Sequence, residues 1–428
     1  MMMRVTVDGL ASRTVVIVAA LTGCAALTIA ALVNAAAGIV TDERVTANKD
    51  LLVATIAYLP NSARLNSRLA ESELSDDDRD LASTENHAKR AVDLTPWDYR
   101  QRLLLATVKE AKGDRTAAEE SLRDALALAP NYTEVHWRLA NLLLREGKLA
   151  KSVVEFKTAA AANPSLLPGT LDLLWRVSAG NLIALQAVTP GDPKSQLLLA
   201  QFLLKQSRIP DAITTFGGID RKALLDLPDS QAFINSLISQ NHIEEARGLW
   251  VGLVSGAYAQ PGHPLSLVWN GSFESDSSKN LAQFDWTIAR NEYAVASIDS
   301  SIARSGTRSL RIDFTGRDTT RLDGQAKQIV VVKPGSRYRL ECYARTEGLE
   351  TPEGPRVIVT DLSSTSIVRS DPIPSGSSDW RAIVVHFIAP ESARAVVITI
   401  QRVPKFAYDD PTRGTVWFDD FVLDEQPK

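Results

Sequence analysis

Cysteine and histidine are scarce in this sequence, and their scarcity removes whole classes of chemistry. Of 428 residues only two are cysteine: Cys24 lies inside an apolar run and Cys342 inside a segment of alternating hydrophobicity. Such unlike surroundings make a poor disulfide pair, so stability has to come from burial rather than cross-links. The five histidines, His87, His136, His242, His263 and His386, form neither HxxH nor HExxH, which excludes the usual zinc and metalloprotease arrangements. A charge excess of one sign is also missing. Lys and Arg number 47 against 51 Asp and Glu, a net charge of -4, so no global basic field is present to hold nucleic acid. The phosphate-binding pattern GxxxxGK[ST], the nucleophile elbow GxSxG and the dinucleotide glycine fingerprint are all absent. Acidic runs such as Asp76-Asp77-Asp78 read as a helix start or a solvated loop, and no catalytic pair of carboxylates has a scaffold to hold it. The chain is expected not to be an enzyme.

What is present begins with a long hydrophobic run. Residues 14–40 contain no charge and one amide, Asn34. At about 1.5 Å of rise per residue, the run exceeds the roughly 20 residues needed to cross a bilayer core. Cleavable signal peptides have a shorter apolar region, roughly 7 to 15 residues, so an uncleaved signal anchor is expected. Leu21-Thr22-Gly23-Cys24, behind Arg4 and Arg13, resembles the bacterial lipobox, yet the chain stays apolar beyond Cys24 where a lipoprotein would turn polar. Arg4 and Arg13 precede the run, whereas Arg44 and Lys49 follow it among Asp42, Glu43 and Asp50. That balance predicts residues 1–13 in the cytoplasm and the bulk of the chain outside, in the periplasm or beyond, most simply on a bacterial inner membrane.

Downstream, one period dominates. Gly113 and Gly147 are 34 positions apart, and the same step relates Ala91, Ala125 and Ala159, and Pro96, Pro130 and Pro164. Leu105-Ala106 recurs as Leu139-Ala140 and Leu122 as Phe156, which sets units at about 99–132 and 133–166. These residues resemble the tetratricopeptide repeat, a 34-residue helix-turn-helix whose copies stack into a solenoid. Small residues allow close helix approach, glycines suit the turn and prolines stop each helix. Weaker copies follow around Leu199-Ala200 and Phe233, an earlier pair spans 61–71 and 80–94, and 171–187 is helical without a clear register. About five helical pairs over 41–255 are expected. The resemblance implies a concave peptide groove lined by the first helix of each pair, with Trp137, Asn141, Leu144 and Arg145 beside Leu197, Gln201, Leu204 and Lys205. The alternative for any of these is packing between repeats. The resemblance also implies a lysine where a carboxylate clamp is used, and this sequence has Trp137 or Leu197 there.

Past residue 255 the composition changes to Val, Ile, Thr and Ser in short alternating runs broken by Gly and Pro. A linker at 256–266 therefore leads into an all-β domain at 267–428, with strands at 309–314, 326–332, 337–345, 356–361, 381–388, 395–402 and 415–423. Alternation over this many strands requires a second sheet to cover the buried face. In order, Asn270-Gly271-Ser272-Phe273-Glu274, Trp286, Ser305-Gly306-Thr307-Arg308-Ser309-Leu310, Val332-Lys333-Pro334-Gly335 with Tyr338, Trp380 and Trp417-Phe418-Asp419-Asp420 resemble carbohydrate-binding modules of the galactose-binding-like jelly-roll type. The resemblance implies a structural calcium ion held by Glu274 and Asp419, with Asp420 as substitute and carbonyls near 305–307 completing the shell.

Sugar recognition needs flat apolar faces and planar polar groups. On 337–345, alternation buries Tyr338, Leu340 and Cys342 and turns Arg339, Glu341, Tyr343 and Arg345 outward. On 395–402 it projects Thr399 and Gln401. If the two strands are adjacent, Tyr343, Arg345 and Gln401 converge on one concave face, which is either a sugar cleft or a surface for protein. Trp286 and Trp380 are expected in the core. The whole reads as a multidomain chain: a transmembrane helix, an all-α tetratricopeptide-type solenoid and an all-β jelly-roll sandwich. Its expected role is a membrane-anchored scaffold that binds a protein partner through the repeats and a polysaccharide through the sandwich, in exopolysaccharide or envelope-glycan assembly or export. The alternative is a protein-only assembly factor with a structural sandwich.

Overall fold

The computed structural model describes residues 10–41, 49–77, 80–258, 266–276, 282–289, 292–316, 322–363, 365–402 and 412–427. Arg4, Asp42, Glu43, Arg44, Asp78, His263 and positions 259–265 of the expected linker lie outside them. The chain divides into two compact units, Met1–Gly191 and Asp192–Lys428.

The first unit opens with α1 (Leu10–Val40), whose Thr14–Val40 stretch is long and apolar enough to cross a membrane; a membrane anchor and a signal sequence both meet that description. Its polar side chains turn back onto the helix: Thr22 Oγ1 donates to the Val18 carbonyl (2.9 Å), Thr28 Oγ1 to Cys24 (2.8 Å) and Asn34 Nδ2 to Ala30 (2.9 Å). The donors of these groups are thereby satisfied within the helix, as an apolar medium requires. Among the described side chains of α1, those of the last two turns meet protein. Val33, Ala36 and Ala37 are half-buried and Val40 is buried, at the spacing of one helix face, against Leu52, Leu65 and Leu69.

After α2 (Lys49–Tyr58) the helices run in pairs: α3 (Ala63–Leu74) with α4 (Leu81–Leu94), α5 (Tyr99–Ala111) with α6 (Arg115–Leu128), α7 (Thr133–Arg145) with α8 (Leu149–Ala162), and α9 (Leu167–Val177) with the shorter α10 (Leu182–Val188). Ser62, Asp80, Asp98 and Asp114 cap α3 to α6 by accepting from backbone N–H groups of the first turn. At the turns Gly113 and Gly147 take φ of 83° and 74°. That left-handed residue lets Asp114 N reach the Lys109 carbonyl (3.0 Å) and Lys148 N the Leu143 carbonyl (2.9 Å), closing each first helix. Ala106, Ala118, Leu122, Leu139, Leu142 and Leu143 form a shared core between successive pairs. Each fully buried leucine there is worth roughly 1.5–3 kcal/mol. The units at 99–132 and 133–166 are thus present in the expected register.

The second unit continues the helical pattern with α11 (Pro193–Lys205), α12 (Ile209–Gly217), α13 (Arg221–Asp226), α14 (Asp229–Ser239) and α15 (Ile243–Tyr258). The turn position survives with different residues: Ser207 and Asn241 adopt φ of 58° and 64°, and Arg208 N and His242 N close on the Leu203 and Leu237 carbonyls at 2.9 Å each. Trp250 of α15 is buried edge-on against Trp269, 5.1 Å between centroids, with the Arg247 guanidinium 4.7 Å from its ring.

The rest of the second unit is two antiparallel five-stranded sheets. The strands are β1 (Thr287–Ile288), β2 (Ala294–Asp299), β3 (Ser309–Thr315), β4 (Leu322–Val331), β5 (Arg337–Glu350), β6 (Arg356–Asp361), β7 (Ser366–Arg369), β8 (Gly376–Ile388), β9 (Ala395–Arg402) and β10 (Arg413–Gln426). One sheet runs β1-β4-β9-β6-β7 and the other β2-β3-β10-β5-β8. Alternate residues of both turn inward into a single core containing Trp286, Leu310, Ile312, Tyr338, Leu340, Cys342, Val357, Val359, Val396, Ile398, Ile400 and Phe418. Burial pushes the Cys342 thiol up, so it stays a neutral apolar filler. Trp380 is only half-buried, unlike Trp286, because it sits on β8, at the edge of its sheet.

Candidate functional site

The strand order corrects one expectation. β5 hydrogen-bonds β10 and β8, whereas β9 hydrogen-bonds β4 and β6, so the two strands belong to different sheets. Tyr343 and Arg345 therefore do not converge with Gln401. Side chains that point out of one layer of a sandwich point away from those of the other.

Thr399 and Gln401 instead line a cleft of about 840 Å³ on the outer face of the β1-β4-β9-β6-β7 sheet, bordered by Ile238, Ser239 and Asn241 at the end of α14. Its floor follows directly from register. Thr287, Lys327, Thr399, Ile358 and Arg369 are successive cross-strand partners and form one row across five strands. Direct partners share a face of the sheet, so this row points into the cleft. A second row, Ile329, Val397 and Thr360, runs beside it. Thr399 is pinned by donating to the Ala326 carbonyl at 3.2 Å. Lys327, Ile358 and Arg369 were not among the residues singled out from the sequence. Alternation in β4 carries the signal for Lys327, since Ala326 and Val330 are core, but the four residues of β7 are too few to reveal a period.

Arg339, Glu341, Tyr343 and Arg345 lie on the opposite outer face and are engaged with one another and their neighbours. Arg339 pairs with Glu341 at 2.5 Å, and Tyr343 Oη donates to Glu341 at 2.6 Å. The Arg304 guanidinium lies 3.4 Å from the centroid of the Tyr343 ring, covering one of its faces. Arg345 and Arg311 flank the Trp417 ring at 5.8 and 5.6 Å, and Trp417 Nε1 donates to Asp299 at 2.8 Å. A guanidinium over an aromatic face occupies the surface that a sugar ring would stack on.

Glu274 and Asp419 grip the same loop, 304–308. Glu274 accepts from the backbone N–H of Thr307 and Arg308, 2.8 Å each, and from Thr307 Oγ1 at 2.8 Å. Asp419 accepts from Arg304 N at 2.8 Å, Ser305 N at 3.3 Å and Asp420 N at 2.8 Å. Burial raises the Asp419 carboxyl above its usual value, and its backbone bonds only partly oppose this. For Glu274 burial also pushes upward, but the bonds from Thr307 and Arg308 outweigh it and hold the group below its usual value. Gly306 has φ of 64°, and a Cβ there would collide with the Glu274 carboxylate.

On the repeats, Trp137, Asn141, Leu144 and Arg145 belong to α7 in the first unit, and Gln201 and Lys205 to α11 in the second. Trp137 is half-buried, its ring edge-on to Phe156 with 5.1 Å between centroids. Asn141 donates to the carbonyl of Trp137 at 2.8 Å, and Arg145 is ion-paired with Glu110 of α5.

Two segments of the chain match family models. Residues 109–166 match the tetratricopeptide repeat family model and residues 265–405 the carbohydrate binding domain model. No curated protein matches the chain. Similar solved structures include the MamA protein (15% identity, 37% of this chain and 83% of that one, TM-score 0.30). Another was determined as a study of CBM4 structure and function (16%, 37% and 99%, TM-score 0.28). A third is a thermophilic TPR protein of Thermus thermophilus (25%, 31% and 70%, TM-score 0.26).

Proposed function

We propose that this chain, a tetratricopeptide-repeat protein with a carbohydrate-binding-module-like sandwich, is a membrane-anchored, non-catalytic scaffold of the bacterial envelope. In this reading residues 1–13 are cytoplasmic, 14–40 anchor the chain, 41–255 form the repeat array, 256–266 link it to the sandwich, and 267–428 hold a polysaccharide. The repeats dock a protein partner, with Trp137, Asn141, Leu144 and Arg145 of α7 as the candidate contacts in the first unit and Gln201 and Lys205 of α11 as those in the second. The role is assembly, export or retention of an exopolysaccharide or envelope glycan.

The observation that carries the glycan part is the 840 Å³ cleft, lined by Thr399 and Gln401 and falling largely within the segment matched by the carbohydrate binding domain model. A groove of that size, with an aliphatic floor and convergent amides and hydroxyls, suits a chain of sugar rings. A glycan array probed with the full chain in nanodiscs tests it. We expect retention of at least one polysaccharide, lost on Thr360→Trp, which fills the groove. Well-folded protein that binds none would falsify the proposal. The second reading, a protein-only assembly factor with a structural sandwich, is favoured by the covered Tyr343 and Trp417 faces and would then stand.

The proposal includes a structural calcium ion at Glu274 and Asp419. Both carboxylates are the hard oxygen donors that calcium takes, and Asp419 is fully buried, but each already accepts three hydrogen bonds from the protein, so the ion would have to replace some of these. A cation there would neutralise a buried charge and tie two strand ends to the 304–308 loop. A thermal midpoint indifferent to calcium and chelator removes this element.

A further inference from the structure

The cleft has an unusual balance of groups for a neutral sugar. Among its described lining residues there is no Phe, Tyr or Trp and no Asp or Glu, while two cations, Lys327 and Arg369, stand at opposite sides. Register fixes their separation. Lys327 pairs with Thr399, Thr399 with Ile358 and Ile358 with Arg369, so the two cations share one row three strand spacings apart, about 14 Å. Both side chains are exposed, and neither has an ion-pair partner among the described residues. Elsewhere on the sandwich many cations are neutralised: Arg304 by Asp420, Arg308 by Asp276, Arg311 by Asp313, Lys333 by Glu425, Arg339 by Glu341 and Arg356 by Glu353. The floor between the two is Thr399 and Ile358, 8% and 6% exposed, flanked by the hydroxyls of Thr287 and Thr360 and the amide of Gln401.

The described lining residues offer no aromatic platform for stacking, and hydroxyl contacts alone exchange for water at little net gain. Paired cations without carboxylates favour a ligand that brings negative charge at intervals along its length. We infer that the cleft selects an anionic polysaccharide, carrying carboxylate or sulfate groups, laid across the strands so that Lys327 and Arg369 contact separate charges on one chain. This rests on the cleft being the glycan site. The chain's net charge of -4 disfavours unspecific attraction of a polyanion, so selectivity has to originate locally.

The test uses full-length protein in nanodiscs against matched polymers: carboxymethyl cellulose and hydroxyethyl cellulose, polygalacturonate and galactan, dextran sulfate and dextran. The expected result is a preference of about tenfold or more for a charged member, weakening with salt as exposed charge contacts do. Lys327→Gln with Arg369→Gln should remove the preference, and Lys327→Arg should keep it, with thermal midpoints confirming folded protein. Equal binding of charged and neutral members, or a double variant that binds the charged polymer like the parent, overturns the selectivity and leaves the cleft as a glycan site. Failure to bind any polymer overturns both. The carboxylated and sulfated arms tell which charge the row prefers.

Discussion

Glu274 and Asp419 use carboxylates to hold a loop by its backbone rather than by a side-chain cation. Their protonation behaviour diverges because Asp419 is fully buried while Glu274 is exposed, although both accept three hydrogen bonds. The glycine they surround is the sensitive position. Gly306→Ala must both adopt φ of 64° and displace the Glu274 carboxylate, so a loss of roughly 1–3 kcal/mol is expected from left-handed strain and broken hydrogen bonds. Chemical denaturation checks it, and an unchanged midpoint would show that the loop adjusts freely. The motif phrases 270–274, 305–310 and 417–420 carried this site in the sequence. Their residues lie far apart along the chain but within one hydrogen-bonded cluster, and short phrases with fixed chemistry survive such separation.

Among elements, the repeats are tied together by ion pairs that step along the array. Glu85 bonds Lys112 and Lys89, and one period later Glu119 bonds Lys148 at 2.6 Å and Arg123 at 2.6 Å. Lys148 first and Arg123 next hold the Glu119 carboxyl at about 2 against an ordinary 4.5, with burial opposing them. A depressed carboxyl contributes stability that is complete above its unfolded value and is lost as pH falls through the folded one. Thermal midpoints of the parent and Glu119→Gln should therefore differ at neutral pH and draw together between about 4.5 and 2; a gap that persists at the acid end would assign the effect to packing. The paired helices were legible because Ala, Gly and Pro recur at one spacing. α2 was not, since KDLLVATIAY is apolar nearly all round and offers no face. In the sheets, 356–361 and 395–402 were read to the residue, whereas β1, β2 and β7 escaped. Two, six and four residues long, they lie towards sheet edges, where burial imposes less alternation. That β5 and β9 belong to different sheets is not legible in the sequence, because alternation reports a buried face but not which strand lies alongside.

At the scale of the molecule, α1 divides into two stretches with different surroundings. Residues 14–32 are exposed, 19 residues or about 28 Å of helix, close to the roughly 30 Å hydrocarbon core of a bilayer. From Val33 onward one face is given to protein, ending with Val40 in the core beside Leu52, Leu65 and Leu69. That seam bears on maturation of the polypeptide. A processing peptidase cutting beyond residue 41 would remove Val40 from its contacts with the cluster of Leu52, Leu65 and Leu69, so on the proposed reading of an uncleaved anchor the same helix also serves the first helical pair. Intact-mass measurement of protein from the membrane fraction should find α1 retained; a stable, soluble product beginning after residue 41 would show that the first helical pair stands without it.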